Sequence, residues 1–295
     1  MRFGSSFLAF VTVLFALDSV SCCLPIRNRH QEAASPSPVW TTDLRRLGFI
    51  PHEFGGLGKH EASRQIAFGS NEELVVLDPP GTFARPGEVR AFVVETTSGR
   101  VVRQARWQIR HSAGVFATAE GGYAVVTADG TSDGTSLFSP GLHSVISGSP
   151  YVAQMVSPDR RALKVWTATP GHAVTFFLDA GTLQPTGVEY VNEEVYAVSR
   201  DQIVTRWGRG RREVLAVLGP WGEVFTYETD CDEPYPVFLT KRRIVWGSCD
   251  RIEVIDFGQG LLLARETAGF AHVAAVSIDG SRFAIVEEKF TRAPC

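Results

Sequence analysis

The chain has 295 residues, of which 44% are hydrophobic and 21% charged, with a formal net charge of −3. That composition suits a soluble globular protein of one large domain or two small ones, long enough to bury a core without staples. The near-neutral balance provides no global field for nucleic acid or anionic lipid, so neither is an expected partner.

The first segment differs from the rest. Arg2 gives a positive start, Phe7 to Leu17 is an uncharged apolar run, and Ser19-Val20-Ser21 supplies small residues at a cleavage-like site. This is the physical pattern of a secretory signal peptide over residues 1–21. The run is shorter than the roughly 20 apolar residues that span a bilayer, and no second run of that length follows. The expectation is an extracytoplasmic chain, periplasmic or secreted, with no integral membrane segment. Cleavage after Ser21 exposes Cys22, which leaves a lipid anchor at Cys22 open beside plain export. The usual lipoprotein pattern has Leu three residues before the cysteine, where this chain has Ser19. Residues 22–38 are polar and rich in Pro and Ser and read as a linker, so the folded domain is expected over residues 39–295.

Strand signals fill that domain. Short runs rich in Val, Ile, Phe and Tyr alternate with clusters of Gly, Pro, Asp and Ser, and no amphipathic helix of ten or more residues interrupts them. An all-β fold is therefore expected. One pattern recurs: an apolar strand, a Ser-x-Asp turn, and a second apolar strand. Its clearest copies are Val156-Ser157-Pro158-Asp159 before Leu163 to Val165, and Val276-Ser277-Ile278-Asp279-Gly280 before Phe283 to Val286. Weaker copies surround Asn71, Glu120, Asp201 and Lys241. Taken at the third turn residue, the six copies step by 49, 39, 42, 40 and 38 residues. A step near 40 is that of a four-stranded propeller blade. A second element, strand, acidic turn, strand, follows three of the copies at Phe92–Val102, Thr175–Leu183 and Glu253–Leu262.

These residues resemble the Ser-Pro-Asp-Gly hairpin and the following Val-x-Asp-x-x-Thr-Gly turn of WD40-like and YVTN-type bacterial β-propellers. The resemblance runs from about residue 62 to about residue 290 as repeats. It departs from the pattern in having no Trp-Asp dipeptide, and only Ser157-Pro158-Asp159 keeps the proline. The resemblance implies an all-β propeller with about six detectable blades, six or seven in total, the last one incomplete. The final hairpin ends near Lys289, and a full blade needs about 20 residues more. Either an N-terminal strand near Val39-Trp40-Thr41-Thr42 completes the ring, or the ring stays open in a C-terminally truncated relative of a longer propeller.

The turn motif itself needs no chemistry. Ser and Asp side chains bond backbone amides two residues on, and Pro fixes φ at a turn corner. The seven His show no metal-ligand spacing, the tandem Asp129-Gly130-Thr131-Ser132 and Asp133-Gly134-Thr135-Ser136 lacks the ligand spacing of a calcium loop, and Ser147-Gly148-Ser149-Pro150 is not a nucleophile elbow. Basic runs at Arg209–Arg212 and Lys241–Arg243 read as solvated turn charges, and the Trp residues as blade packing. No catalytic residue, cofactor or metal is assigned. Cys231 and Cys249 lie 18 residues apart. An oxidising compartment favours a disulfide between them, with two buried thiols as the alternative. Fold-level resemblance leaves function open, because propellers serve as scaffolds, as sugar or peptide binders and as enzymes. The expected role is an exported, non-catalytic binding or scaffold module that meets a protein or extracellular ligand on one face. The alternative is a propeller enzyme or cofactor-binding protein with a site at the central channel.

Overall fold

A computed structural model describes residues 6–15, 38–43, 46, 66–77, 89–107, 114–127, 133–169, 172–191, 195–198, 203–209, 212–219, 222–229, 237–240, 242–248, 251–266, 271–277 and 279–291. Among the described residues the strands number twenty-four, in six four-stranded sheets. No helix among the described residues is long and apolar enough to cross a membrane.

Five sheets follow the chain directly, each an antiparallel meander. Blade 1 is β3 (Ile66–Phe68), β4 (Glu73–Leu77), β5 (Val89–Glu95) and β6 (Val101–Trp107). Blade 2 is β7 (Gly114–Ala117), β8 (Tyr123–Thr127), β9 (Gly134–Phe138) and β10 (Val145–Ser149). Blade 3 is β11 (Ala153–Val156), β12 (Ala162–Thr169), β13 (His172–Asp179) and β14 (Pro185–Val191). Blade 4 is β15 (Val195–Val198), β16 (Ile203–Arg209), β17 (Arg212–Gly219) and β18 (Gly222–Thr229). Blade 5 is β19 (Val237–Leu239), β20 (Arg243–Ser248), β21 (Arg251–Asp256) and β22 (Gly260–Glu266).

The sixth sheet joins the two ends of the chain. It runs from β23 (Ala271–Val276) and β24 (Arg282–Thr291) to β1 (Ser6–Phe15) and β2 (Pro38–Asp43). β24 pairs antiparallel with β1 from Ser6↔Thr291 to Phe15↔Arg282, and β1 pairs with β2 from Phe10↔Asp43 to Leu14↔Pro38. The strand expected near Val39–Thr42 is thus β2, at the rim of this closing blade. The strand between β2 and β24 comes from within the segment that reads in sequence as a leader.

All six recurring hairpins are the first two strands of a sheet. The reason they stand out in sequence is visible in blade 1. Ile66, Phe68, Leu74, Val76, Phe92 and Val94 pack toward the closing blade with Ala275 and Ala284. Their neighbours Ala67, Val75, Leu77, Ala91 and Val93 pack toward blade 2 with Val115, Tyr123 and Val125. Successive strand residues point to opposite faces, and both faces are covered, so the strands are continuously apolar. Further buried clusters join blade 2 to blade 3, Met155 of blade 3 to blades 4 and 5, and blade 5 to the closing blade. Packing therefore runs from sheet to sheet around a ring. The rim is different: β10 and β14 are largely exposed along their whole length.

Candidate functional site: the turn face of the ring

In an antiparallel four-stranded blade, the turns after the first and third strands lie at the same end. The Ser-x-Asp turns and the acidic outer turns therefore share one face. The two clearest copies have the same internal bonds. Ser157 N donates to Ala162 O at 2.8 Å and Ser277 N to Arg282 O at 2.9 Å. Ser157 Oγ accepts from Ala162 N and Ser277 Oγ from Arg282 N, at 3.0 and 2.9 Å. Each serine also donates to its aspartate, Asp159 or Asp279, at 2.6 Å. Ser157 and Asp159 are spent on holding a turn.

Inner and outer turns of a blade are tied by one recurring backbone bond. It is Thr96 N to Glu72 O in blade 1, Ala180 N to Arg161 O in blade 3 and Phe257 N to Arg242 O in blade 5, at 2.9, 2.8 and 3.0 Å. The outer acids cap their own turns. Asp179 Oδ1 accepts from Gly181 N, Thr182 N and Thr182 Oγ1. Asp256, 2% exposed, accepts from Gly258 N and Gln259 N and lies 3.6 and 3.5 Å from the Arg242 and Arg243 side chains. That pairing explains part of the basic run 241–243. In the other run, Arg209 and Arg212 are the paired strand ends of the β16–β17 hairpin, and residues 210 and 211 lie outside the described residues.

Two arginines tie different blades together. Arg282, from the closing blade, donates through Nη1 to Asn71 O at 2.6 Å and to Thr96 Oγ1 at 2.7 Å. Thr96 Oγ1 donates to the same Asn71 carbonyl, and Asn71 Nδ2 donates to Asp279 Oδ2 at 3.1 Å. Arg160, from blade 3, reaches past blade 2 and donates through Nη1 to Gly69 O of blade 1 at 2.8 Å. Its own carbonyl accepts from Ala119 N of blade 2 at 3.0 Å. Arg160 belongs to no motif that marks it in the sequence as a tie between blades. The available signal is its alignment with Gly280 in the sister turn: both adopt left-handed φ, 60° for Arg160 and 69° for Gly280. Glycine adopts that conformation freely, whereas an arginine there is strained. A Cβ on Gly280 would also come 3.0 Å from Thr240 Cγ2 of blade 5.

Electrostatics on this face follow from burial. Desolvation pushes the Arg160 guanidinium down to about 10, with the Tyr123 hydroxyl pulling the other way. Burial and the nearby Glu73 carboxylate raise Tyr123, against the pull of Arg103 and Arg160. At Asp279 burial pushes the carboxyl up, but hydrogen bonds from Ser277 and Ser281 and the charge of Arg282 prevail, so it lies below the ordinary carboxylate range. A depressed carboxyl stabilises the fold above its unfolded value, and that contribution disappears as pH falls through its folded value. Melting temperature followed from pH 7 to pH 3 should therefore fall less steeply for Asp279→Asn than for the native chain. Parallel curves would show that this turn is not charge-dependent.

Among the described residues, no group of three or more His, Cys, Asp or Glu is placed to hold a metal ion. Cys22, Cys231 and Cys249 lie outside the described residues, as do residues 129–132 and the acidic residues Asp230, Asp232 and Glu233. The tandem Gly-Thr-Ser enters β9 at Gly134, where an added Cβ would collide with Ser149 O of β10. Trp246 is fully buried, as expected for blade packing, and Trp40 donates from Nε1 to Thr96 O at 2.6 Å, fastening β2 to blade 1. Trp166 departs from that expectation, at 47% exposed.

No protein-family model matches the chain, and no curated protein matches it in sequence. Solved structures do match. The putative TolB from Agrobacterium tumefaciens aligns with a TM-score of 0.54 at 12% identity, covering 97% of this chain and 100% of that one. The WD40 β-propeller domain of Doa1 aligns at 0.43 with 11% identity, covering 75% and 77%. The Dos1 propeller aligns at 0.41 with 9% identity over 75% of this chain, which spans 66% of that propeller. At these identities the likeness is one of fold. The TolB alignment, taken with the six sheets packed in a ring, establishes that the chain is an all-β propeller.

Proposed function

We propose that this propeller is an exported, non-catalytic binding or scaffold module, and that its turn face meets a protein partner. One observation carries the reading: the polar side chains described on that face are used to hold its own turns and to tie blades together. Such a surface is pre-organised for recognition, because little ordering remains to be done on binding. Exposed groups such as Glu120, Asp159 and Thr182 present a mixed polar rim on it.

Photo-crosslinking amino acids test this in the producing organism. Placed at Glu120 and Thr182 they should trap one discrete protein species. Placed at Val102 and Val188, exposed at 45% and 49% on outer strands, they should not. Equal trapping at both sets, or none at the turn face, would sink the reading. Export belongs to the same proposal. The intact mass of the exported protein should begin at Cys22, a heavier N-terminus revealing a lipid on it. A non-reducing peptide map should link Cys231 to Cys249, and two alkylatable thiols there would reject the disulfide.

A further inference from the structure

The closing blade and the leader make claims on the same residues. β1 is ten residues long and supplies the strand between β24 and β2. Its sequence, SFLAFVTVLF, has no charge, glycine or proline. Cleavage after Ser21 would remove it whole.

That removal would leave a slot between β24 and β2, each of which has a hold on the fold apart from β1. On one side β24 is held by β23 through pairs from Ala271↔Glu287 to Val276↔Phe283. On the other side β2 is anchored independently of β1. Trp40 bonds Thr96 O at 2.6 Å, and its ring lies so close to Gly99 that a Cβ there would come within 2.9 Å of Cδ2. Both anchors belong to blade 1. β2 therefore cannot slide inward to pair with β24 without giving up its tryptophan.

Two facing strand edges one strand-width apart select their occupant. Each presents unpaired backbone donors and acceptors, which pair with an added strand. The edge of a folded sheet cannot enter between them, which excludes pairing with the rim of a second copy. A free, extended segment can enter. The strand that fits there is uncharged and rich in Phe, Leu and Val, which fixes the chemistry.

We propose that the exported chain, once its leader is removed, accepts an extended, uncharged, apolar segment of another protein as the third strand of its closing blade, antiparallel to β24. This inference rests on the proposed export and cleavage, and it assigns a second partner-binding position distinct from the turn face.

The experiment uses the processed protein purified from the exported fraction. Its intact mass is read first: a chain that keeps residues 1–21 overturns the leader reading before any ligand is added. The probe is a synthetic peptide of Ser6–Phe15 carrying two lysines at each end for solubility. Expected is saturable one-to-one binding, with the melting temperature raised by about 5 °C at a peptide concentration near 100 Kd. The full-length chain produced without export, in which β1 occupies the slot, should not bind it. A peptide with proline in place of Ala9 and Thr12, one donor removed from each edge, should also fail, because both of its edges must donate. The inference is overturned if the processed chain melts with the full-length chain and ignores the peptide. It is equally overturned if the proline peptide binds as well as the native one.

Discussion

Trp246→Ala is expected to lower the unfolding free energy by about 3–5 kcal/mol, whereas Trp246→Phe should remain within about 1.5 kcal/mol of the native chain. Trp246 lies on β20 with no exposed surface, packed with Met155, Leu215, Val217, Leu239, Ile244 and Ile255. Those neighbours come from three blades, so a cavity there loosens two blade interfaces at once. The wider cost of alanine follows from lost transfer energy plus a void that rigid sheets do not collapse to fill. Phenylalanine keeps most of the volume and removes something unfavourable. The indole Nε1 is buried and has no hydrogen-bond partner among the described residues, a penalty of about 1–3 kcal/mol that the phenyl ring does not carry. Urea titrations of the two variants check this, provided the denaturant slope m is unchanged. Equal losses for Ala and Phe would mean that the indole nitrogen contributes to stability.

The difference between inner and outer strands explains how far the fold was legible. In blades 1 and 2 the inner hairpins are buried on both faces, so their strands are nearly unbroken apolar runs, and in blade 3 and the closing blade the hairpin is closed by a turn with its own side-chain chemistry. The six copies in the sequence are the six inner hairpins, including weak ones such as Leu239-Thr240-Lys241. Outer strands carry less signal. β14, Pro185–Val191, is exposed at nearly every position, and β10 places Val145 and Ile146 in solvent at 59% and 62% exposure. Neither alternates as a half-buried strand does. β1 shows a different limit. An uncharged apolar run of that length satisfies the pattern of a leader and the pattern of a buried strand equally, and composition cannot separate them. At the candidate site, Ser157 and Asp159 were legible because their bonds are local. Arg160 was not, because its bond goes to a carbonyl 91 residues away.

Arg160 also provides the sharpest test of how the turn face is held. Replacement by alanine should cost about 2–3 kcal/mol, and replacement by glycine about 1 kcal/mol less than that. Both variants lose the bond to Gly69 O, made by a side chain that is 8% exposed. Alanine keeps the left-handed φ of 60° and its strain, whereas glycine relieves it, as Gly280 already does in the sister turn. If the guanidinium merely fills space, glycine should equal or exceed arginine in stability. If it ties blade 3 to blade 1, the order is arginine, then glycine, then alanine. Hydrogen exchange separates the tie from a local turn effect. Loss of the tie should speed exchange at Glu73 and Thr96 in blade 1 as well as at Ala162 in blade 3, because the β3–β4 turn loses its bond to blade 3 and keeps those to the closing blade. A change confined to blade 3 would show that Arg160 serves its own hairpin, and the turn face would then be a set of separate turns around a packed ring.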